Sequence, residues 1–438
     1  MKTYIRKFTP EFIINLFRYI RNKKKVLLYN YFIPQKQINA LKKLANKEKP
    51  IRCVFLALFD SVWKYDGVYR LMQKDPRFEP IILVCPIVNY GYDNMIKRMN
   101  ECYDFLKNKG YYVIKSYDQE KDLYLDLSKD LYPDILFYTN PYKGLIDDRY
   151  YIDRFPNILT VYIPYCAQEG IPEAMDYNLD SHNRFWRYYT LTDYHKSYSK
   201  QLAINKGRNV KVTGYPQIEK FLCNDYIPCD KCWKQNKTKK KRIIWSPHHT
   251  LEAVRSVDYS TFLKYYDFMQ KMVEKYKEQV QWVFKPHPLL RNKLDLLWGK
   301  DKTDNYYDFW ETNDNTSFVN GDYVDLFLSS DAMIHDCGSF VYEYLLVNKP
   351  VLRPLNNIPL NQLYNQFALD CLDNYYFAKS ENEIEQFIKM VITEDDPKKE
   401  QRTDFLKNKV IGDRKMTPSQ MIVEDILTSI KERKVFVD

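Results

Sequence analysis

The stretch MIHDCGSFVYEYLLVNKPVLRP, residues 333–354, contains the features that decide the fold. It begins as a short apolar strand, turns through Asp336 to Ser339, continues as an apolar helix and ends in a second strand that closes on a basic-proline step. Strand, helix and strand in this order form the unit of a parallel sheet covered by helices. Ligands of such sheets bind beyond the carboxyl ends of the strands, which is where this polar turn lies.

The same alternation extends over most of the chain. Apolar runs at 51–59 and 79–88 predict strands in the first half, and runs at 242–245 and 281–284 predict strands in the second. Between residues 223 and 240 the sequence is polar, basic and without periodicity, which indicates a linker. We therefore predict two α/β units of similar size with a cleft between them.

This organisation divides the sequence into four predicted parts. The length of 438 residues is too great for one ordinary core, which supports more than one domain. The parts are a basic amphipathic helical segment at 1–48, a Rossmann-like domain at 49–225, a second Rossmann-like domain at 240–395 and a helical tail at 396–438.

Charge and cysteine usage restrict the function classes. The net charge of +10 suits nucleic acid, an anionic membrane or phosphorylated substrates. No nucleic-acid-binding motif supports the first of these. Nine scattered cysteines without a secretory signal predict reduced thiols in the cytoplasm. Cys229 and Cys232 form one CxxC pair without the two further ligands that a zinc site needs. Nothing resembles a paired-carboxylate metal site either, so no obligatory metal is expected, and no cofactor is predicted.

Tyrosine is unusually frequent, with 39 residues. Two interpretations are open at this point: biased coding, or aromatic platforms that bind sugars. Composition alone does not locate these residues in the fold.

The N-terminus combines an apolar helical stripe with a cationic cluster. Such a helix can lie in the headgroup plane of an anionic membrane, or it can pack on its own domain with its lysines solvated. No run approaches the roughly 20 apolar residues that span a bilayer. The stripe consists of Phe12, Ile13, Leu16, Phe17 and Ile20, and the cluster of Arg18, Arg21, Lys23, Lys24 and Lys25.

Histidines mark the loops that carry the chemistry. Four of the six lie in the second half, each at the end of a predicted strand. Prolines on both sides of His287 restrict the loop that also contains Lys285, and Pro247 precedes His248 and His249. A lysine and histidines at strand ends suit a diphosphate, because lysine supplies charge and histidine donates a hydrogen bond or proton. Loop-pinning histidines are the alternative interpretation.

The turn after the strand at 332–336 predicts a second half of the same site. The backbone N–H groups at the helix start at Phe340, with the Ser339 hydroxyl, would form an anion pocket. Gly338 would allow close approach of a phosphate or supply a positive φ. Glu343 would accept a ribose hydroxyl, and Asp336 would orient a histidine or the loop. An ordinary capped helix is the alternative interpretation.

These two motifs together resemble the donor-binding half of the CDP-glycerol glycerophosphotransferase family, the teichoic-acid and capsule polymerases of GT-B fold. The resemblance covers residues 205–355. It implies a fold of two Rossmann-type domains with parallel sheets facing a central cleft, a nucleotide diphosphate donor and a glycan acceptor. The matching residues are Lys285, Pro286, His287 and Pro288 in the first motif, and Asp331, Asp336, Ser339, Glu343, Lys349 and Pro350 in the second.

Two departures from the family pattern bear on mechanism. Gly338-Ser339 stands where the family has two serines, which removes one hydroxyl. The family's first-domain catalytic histidine has no counterpart in the corresponding loop at 162–170, where Glu169 is the strong base. Either Glu169 deprotonates the acceptor, or His248 or His249 does so, or the acceptor chemistry differs.

The predicted function is transfer of an alditol phosphate, glycerol phosphate in the first instance, from a CDP-linked donor to a bacterial surface glycan with release of CMP. The basic N-terminus would hold the enzyme on the inner face of the cytoplasmic membrane, near a lipid-linked acceptor. The alternatives are a GT-B glycosyltransferase that uses a nucleotide sugar, a nucleotide-sugar epimerase, a non-catalytic binder and an inactive relative. The catalytic candidates are His287, Glu169 and His249, and the donor-binding candidates are Lys285, His248, Asp336, Gly338, Ser339, Phe340 and Glu343.

Overall fold

The computed structural model describes residues 11–60, 63–89, 91–223, 225–235, 238–251, 259–412 and 414–437, with side chains from residue 19 onward. These residues form two compact units. Unit 1 contains the chain up to Tyr165, Pro172–Gln217 and the chain from Met416. Unit 2 contains Cys166–Ile171 and Ile218–Lys415.

Unit 1 is built on a seven-stranded parallel sheet with a separate two-stranded hairpin. The strand order is β3-β2-β1-β6-β7-β8-β9, and β4 pairs with β5. The strands are β1 Ile51–Ala57, β2 Phe78–Val84, β3 Val113–Lys115, β4 Tyr117–Asp118, β5 Leu123–Tyr124, β6 Ile135–Tyr138, β7 Leu159–Tyr162, β8 Arg187–Thr190 and β9 Val210–Val212.

The helices of unit 1 alternate with these strands. They are α1 Glu11–Leu27, α2 Ile33–Ala45, α3 Asp66–Lys74, α4 Tyr92–Asn108, α5 Ala174–Tyr177, α6 Asp180–Arg184 and α7 Asp193–Leu202. A π-helical turn joins α1 to α2, and the last helix, α17 Pro418–Glu432, also belongs to this unit.

Unit 2 is built on a six-stranded parallel sheet of order β12-β11-β10-β13-β14-β15. Its strands are β10 Lys241–Ser246, β11 Val280–Phe284, β12 Thr316–Phe318, β13 Ala332–His335, β14 Val351–Pro354 and β15 Tyr376–Ala378. Its helices are α8 Glu219–Leu222, α9 Phe262–Lys275, α10 Leu290–Trp298, α11 Lys300–Thr312, α12 Val324–Ser329, α13 Phe340–Glu343, α14 Gln366–Leu372, α15 Glu381–Ile392 and α16 Lys399–Phe405.

The prediction of two parallel-sheet α/β domains is confirmed. Strands that are buried on both sides read as continuous apolar runs, and for this reason β1, β2, β10 and β11 were visible in the sequence. Helix α17 begins after Thr417, whose hydroxyl accepts a hydrogen bond from the Gln420 N–H.

The division into units differs from the predicted one at the C-terminus. The tail at 396–438 is not one part: residues up to Lys415 belong to unit 2, and the rest belongs to unit 1. A buried ion pair explains why the chain from Met416 belongs to unit 1, because Arg187 Nε of β8 lies 3.0 Å from Asp425 Oδ2 of α17. The same guanidinium donates to the Val435 carbonyl at 2.7 Å.

The N-terminal segment is likewise part of unit 1 rather than a domain of its own. The side chain of Gln37 on α2 donates to the Arg184 carbonyl at 2.9 Å, and Tyr29 donates to Asp180 at 2.5 Å. The predicted apolar stripe lies mostly outside the described side chains; of its members Ile20 is described, and it is 41% exposed.

Many tyrosines prove to be core residues with satisfied hydroxyl groups. Tyr65 donates to the Tyr138 carbonyl at 2.6 Å and accepts from the Ile163 N–H at 2.9 Å. Tyr138 donates to the Tyr150 carbonyl at 3.0 Å. These buried tyrosines are therefore not sugar-binding platforms.

Candidate functional site

The predicted site loops meet at one edge of the unit 2 sheet. Strand β10 lies between β11 and β13, so the loops that follow these three strands are neighbours. The His287 N–H donates to the Pro247 carbonyl at 3.0 Å, and the His248 N–H donates to Asp336 Oδ1 at 2.6 Å. The three sequence motifs thus form one constellation.

The imidazoles of His248, His249 and His287 form the centre of this constellation, here called the histidine cluster. The ring centroid of His287 lies 4.9 Å from that of His248 and 4.1 Å from that of His249. The ring centroids of His248 and His249 are 4.3 Å apart. Among the described residues, this is the one group of histidines, cysteines and acids that is close enough to hold a metal ion.

The hydrogen bonds of the rings bear on whether the cluster suits a metal ion or an anion. Nδ1 of His287 accepts from the Leu289 N–H at 3.2 Å, and Nδ1 of His248 accepts from the Thr250 N–H at 3.4 Å. A neutral imidazole that accepts at Nδ1 carries its hydrogen on Nε2. Metal-bound histidines show the opposite arrangement, in which the distal nitrogen donates. The cluster therefore presents N–H donors, which suit a phosphate oxygen.

Burial keeps the cluster neutral. Desolvation, followed by the charges of the neighbouring histidines, lowers the pKa of His248 to about 2. Desolvation, followed by His249 and Lys285, lowers the pKa of His287 to about 4. The pKa of His249 is also lowered, mainly by desolvation. All three rings are therefore uncharged at neutral pH.

Lys285 supplies the cation of the site. Its side chain is 5% exposed, and Nζ donates to the Gly321 carbonyl at 3.0 Å. Desolvation lowers the pKa of Lys285 to about 8, so the ammonium form persists at neutral pH. A buried cation with one backbone partner retains donors for an anionic ligand.

Asp336 acts on the loops rather than facing a ligand. Both of its oxygens are occupied: Oδ1 by the His248 N–H, and Oδ2 by the Thr261 N–H at 2.5 Å and the Thr261 hydroxyl at 2.8 Å. The assignment of Asp336 to donor binding is thus replaced by the orienting role that the sequence also allowed. Its carboxyl group fixes the histidine loop to the start of α9.

The turn from Gly338 to Phe340 differs from expectation. Gly338 does not have a positive φ, and a Cβ there would meet the Tyr259 ring at an ordinary 3.5 Å, so the backbone does not require glycine. Ser339 has helical φ and ψ and makes no side-chain capping hydrogen bond. The ring of Phe340 packs against Tyr323 and Phe327 at centroid distances of 5.1 and 5.0 Å. Helix α13 has four residues and continues as a 3-10 turn.

Two buried acids extend the site. Glu343 is 4% exposed and Glu169 is 5% exposed. Desolvation, followed by the charge of Glu343, raises the pKa of Glu169 to about 8. Glu169 was expected in the first domain, but its segment belongs to unit 2, because the Asn365 N–H and side-chain amide donate to the carbonyls of Glu169 and Gln168 at 2.9 and 2.6 Å.

Sequence reasoning missed two aromatic residues and an arginine behind the loops. Arg353, at the end of β14, is buried and donates to the Cys337 carbonyl at 3.4 Å. Its guanidinium lies 5.8 Å from the Tyr259 ring and 5.1 Å from the Tyr364 ring. Arg353 was detectable as the basic residue that ends the next strand of the sheet, whereas no local signal marks Tyr259 or Tyr364.

The other three histidines serve the cores. His335 Nε2 lies 3.0 Å from the Tyr375 hydroxyl, and His195 Nδ1 lies 2.8 Å from the Thr192 hydroxyl. His182 stacks on Tyr188 at 5.4 Å. Position at a strand end was therefore not sufficient for His335, which is the last residue of β13 and points into the interior.

Comparison of the sequence with protein families gives one match relevant to this site. The family described as CDP-glycerol:poly(glycerophosphate) glycerophosphotransferase matches residues 167–428, which include Glu169 and the whole donor-side constellation. No curated protein sequence matches the chain significantly.

Solved structures share the fold over nearly the whole chain. A histidine variant of the wall teichoic acid polymerase TagF has a TM-score of 0.56 and 15% identity, covering 96% of this chain and 98% of that chain. The same variant soaked with CDPG has a TM-score of 0.55 and 13% identity, covering 94% of this chain and 98% of that chain. UDP-GlcNAc 2-epimerase from Neisseria meningitidis, bound to UDP-GlcNAc, has a TM-score of 0.51 and 14% identity, covering 86% of this chain and 100% of that chain.

Proposed function

Because the chain belongs to the CDP-glycerol:poly(glycerophosphate) glycerophosphotransferase family, we propose that unit 2 binds CDP-glycerol and that the histidine cluster and Lys285 hold its diphosphate. The chain is a transferase of that family. The observation that supports the proposal most directly is the pair of Nε2–H donors beside a buried ammonium group, since this combination is complementary to phosphate oxygens.

The transfer step follows from these groups. The acceptor hydroxyl attacks the phosphorus that carries glycerol, a new P–O bond forms, and the bond to the CMP oxygen breaks. His287 donates from Nε2 to the departing CMP phosphate, and Lys285 neutralises its charge. Catalysis in this scheme consists of positioning and charge stabilisation.

The proton of the acceptor hydroxyl needs a base, and we assign this role to His249 rather than to Glu169. The ring of His249 is neutral and its Nδ1 is buried without a hydrogen-bond partner among the described residues, so its tautomer is not fixed. The carboxyl group of Glu169 is protonated at neutral pH, because its pKa is raised to about 8 by burial and by Glu343. A protonated acid does not accept the proton.

The substrate assignment is tested by nucleotide release. The purified protein is offered CDP-glycerol, CDP-ribitol and a panel of UDP-, GDP- and CMP-linked sugars, with a surface-glycan extract as acceptor. We expect CMP release from a CDP-alditol and a loss of about 100-fold or more with His287→Ala. Release of UDP or GDP would instead identify a glycosyltransferase.

The acceptor partner is proposed to be a glycan at an anionic membrane surface. In support, α1 and the following turn present exposed apolar side chains beside basic ones: Ile20, Val26, Leu27, Tyr31 and Phe32 among the former, and Arg21, Lys23, Lys24 and Lys25 among the latter. This composition is typical of helices that lie in the headgroup region. Among the described residues, no helix has the length and apolar character needed to cross a bilayer.

Vesicle sedimentation tests this partner. The triple change Lys23→Gln, Lys24→Gln and Lys25→Gln should release the protein from phosphatidylglycerol vesicles, since each surface lysine contributes about 1 kcal/mol. The matched control changes three exposed lysines elsewhere in unit 1, Lys97, Lys107 and Lys109, to Gln. Equal binding of both variants would contradict an N-terminal membrane surface.

A further inference from the structure

The turn after β13 has no side chain at Gly338, and the ring of Tyr259 lies against that position. Gly338-Ser339 stands where the family has two serines, so the turn lacks one hydroxyl group. A Cβ atom at position 338 would lie 3.5 Å from two ring carbons of Tyr259 and 3.7 Å from its hydroxyl oxygen, which are ordinary contact distances. A serine oxygen, one bond beyond Cβ, would therefore lie beside the Tyr259 hydroxyl.

The hydroxyl group of Tyr259 is available to a ligand. The side chain is half-buried, and within the part of the chain that the structure describes no residue shares a hydrogen bond with its hydroxyl. The backbone holds the residue in place, because the Tyr259 N–H donates to the Thr250 hydroxyl at 2.9 Å. Burial raises the pKa of the phenol above its ordinary 10.0, so at neutral pH the group keeps its hydrogen and can donate it.

Tyr259 borders the histidine cluster and a buried cation. Its ring stands at 89° to that of His248, with 5.2 Å between the centroids. The guanidinium of Arg353 lies 5.8 Å from the Tyr259 ring and is 2% exposed. Among the described residues, Arg353 has no acid within ion-pair distance, and its one hydrogen bond goes to the Cys337 carbonyl at 3.4 Å. A buried cation without a close counterion favours an anion nearby.

We propose that the Tyr259 hydroxyl binds a phosphate oxygen of the donor and takes the place of the hydroxyl that Gly338 lacks. This inference rests on the proposed function, which places the donor diphosphate at the histidine cluster. A phosphate oxygen accepts strong hydrogen bonds, and the phenol supplies one. Tyr259 is then a donor-binding residue that comes from the segment before α9 rather than from the turn. Because both positions would serve the same phosphate, a hydroxyl at either one should suffice.

Moving the hydroxyl from one position to the other tests the inference. Titration calorimetry measures the binding of CDP-glycerol to the wild type, to Tyr259→Phe, and to Tyr259→Phe combined with either Gly338→Ser or Gly338→Ala. The last two changes add the same Cβ atom, but only serine returns a hydroxyl. Tyr266→Phe, which removes the hydroxyl of another half-buried tyrosine of unit 2, is the matched control. Thermal unfolding checks that each variant is folded.

We expect Tyr259→Phe to weaken binding by about 10-fold or more, which is the effect of one hydrogen bond to a charged group. Adding Gly338→Ser should recover most of this loss and adding Gly338→Ala none of it, since only the hydroxyl can donate. Tyr266→Phe should bind as the wild type does. If folded Tyr259→Phe binds CDP-glycerol like the wild type, or if serine recovers no more than alanine, the inference is overturned and the proposed function stands.

Failure of the proposed function gives a different result. If wild-type protein ignores CDP-glycerol but binds UDP or GDP, the donor assignment is wrong. A loss of that binding in Tyr259→Phe, with recovery by Gly338→Ser and not by Gly338→Ala, would then still support the phosphate contact. If wild-type protein binds none of these nucleotides, both proposals are overturned.

Discussion

At His287, the ring nitrogen that carries the hydrogen determines which nitrogen can donate a hydrogen bond to a ligand. Its Nδ1 accepts from the Leu289 N–H at 3.2 Å, which leaves Nε2–H as the donor available to a ligand. A glutamine places its amide nitrogen near the position of Nε2, whereas an asparagine reaches only the position of Nδ1. The two substitutions therefore probe the two nitrogens separately.

We expect His287→Gln to keep a measurable part of the CMP release from CDP-glycerol and His287→Asn to lose about 100-fold or more. The loss should appear in kcat rather than KM, because the donated hydrogen bond strengthens as charge develops on the leaving phosphate. Steady-state kinetics measures this. Equal activity of the two variants would show that Nε2 is not the donor.

Glu169 gives a prediction about pH and stability. Burial, followed by the charge of Glu343, raises the pKa of its carboxyl group from 4.5 to about 8. Between these values the folded protein retains a proton that the unfolded chain releases, so the free energy of unfolding falls as the pH rises. Above pH 8 the carboxyl group is ionised in both the folded and the unfolded protein, and it no longer changes the free energy of unfolding.

Glu169→Gln removes this dependence. Urea unfolding at pH 5 and pH 8 should show that the stability difference between the variant and the wild type shifts in favour of the variant by a few kcal/mol, at about 1.4 kcal/mol per pKa unit. Glu278→Gln, at an exposed position, serves as the control. A pH-independent difference would mean that Glu169 is ionised throughout this range.

At the scale of elements, α17 is tied to unit 1 by one buried acid. Asp425 accepts from Arg187 Nε at 3.0 Å and from the Tyr189 hydroxyl at 2.7 Å, and Lys211 and the Ser429 hydroxyl also donate to it. The guanidinium of Arg187 is fully buried. Removing the acid leaves this charge without its counterion.

Asp425→Ala should therefore lower the free energy of unfolding by about 3–5 kcal/mol, the usual cost of breaking a buried ion pair on one side. Glu424→Ala, at the exposed neighbouring position of the same helix, should change it by less than about 0.5 kcal/mol. Urea denaturation measures both. A similar effect of the two changes would show that the pair does not hold the helix.

The elements differ in how far the sequence predicts them. Strands β10, β11 and β13 were predictable because buried parallel strands are continuous apolar runs, and the loops after β10 and β11 brought His249 and His287 together. The placement of α17 was not predictable, because its residue Asp425 pairs with Arg187, which lies 238 residues earlier in the sequence. Contacts of that separation leave no local periodicity in the sequence.

Within the site the same distinction holds. The ligand-facing roles proposed for His248 and Lys285 were inferred from residue type and position. The role of Asp336 depended on which N–H groups surround it, and the place of Glu169 depended on Asn365, 196 positions later. A motif indicates which residues take part, but the packing of distant segments decides the direction in which each side chain acts.

For the whole molecule, the two units exchange segments of the chain, and this has a consequence for ligand binding. Cys166–Ile171 belongs to unit 2 although the sequence on both sides of it belongs to unit 1. If this segment takes part in donor binding, a nucleotide should order it together with loops that follow more than 70 residues later.

Hydrogen exchange measures this ordering. We expect CDP-glycerol to slow exchange in the loops after β10, β11 and β13 and, by several-fold, in Cys166–Ile171, because ligand binding lowers the population of locally open states. Asn365→Asp keeps the acceptor that caps α14 but removes the amide donor to the Gln168 carbonyl. In this variant the loops should remain protected, whereas Cys166–Ile171 should lose protection, since one of its two hydrogen bonds to Asn365 is gone. Protected loops beside an unprotected Cys166–Ile171 in the wild type would instead place donor binding in the loops alone.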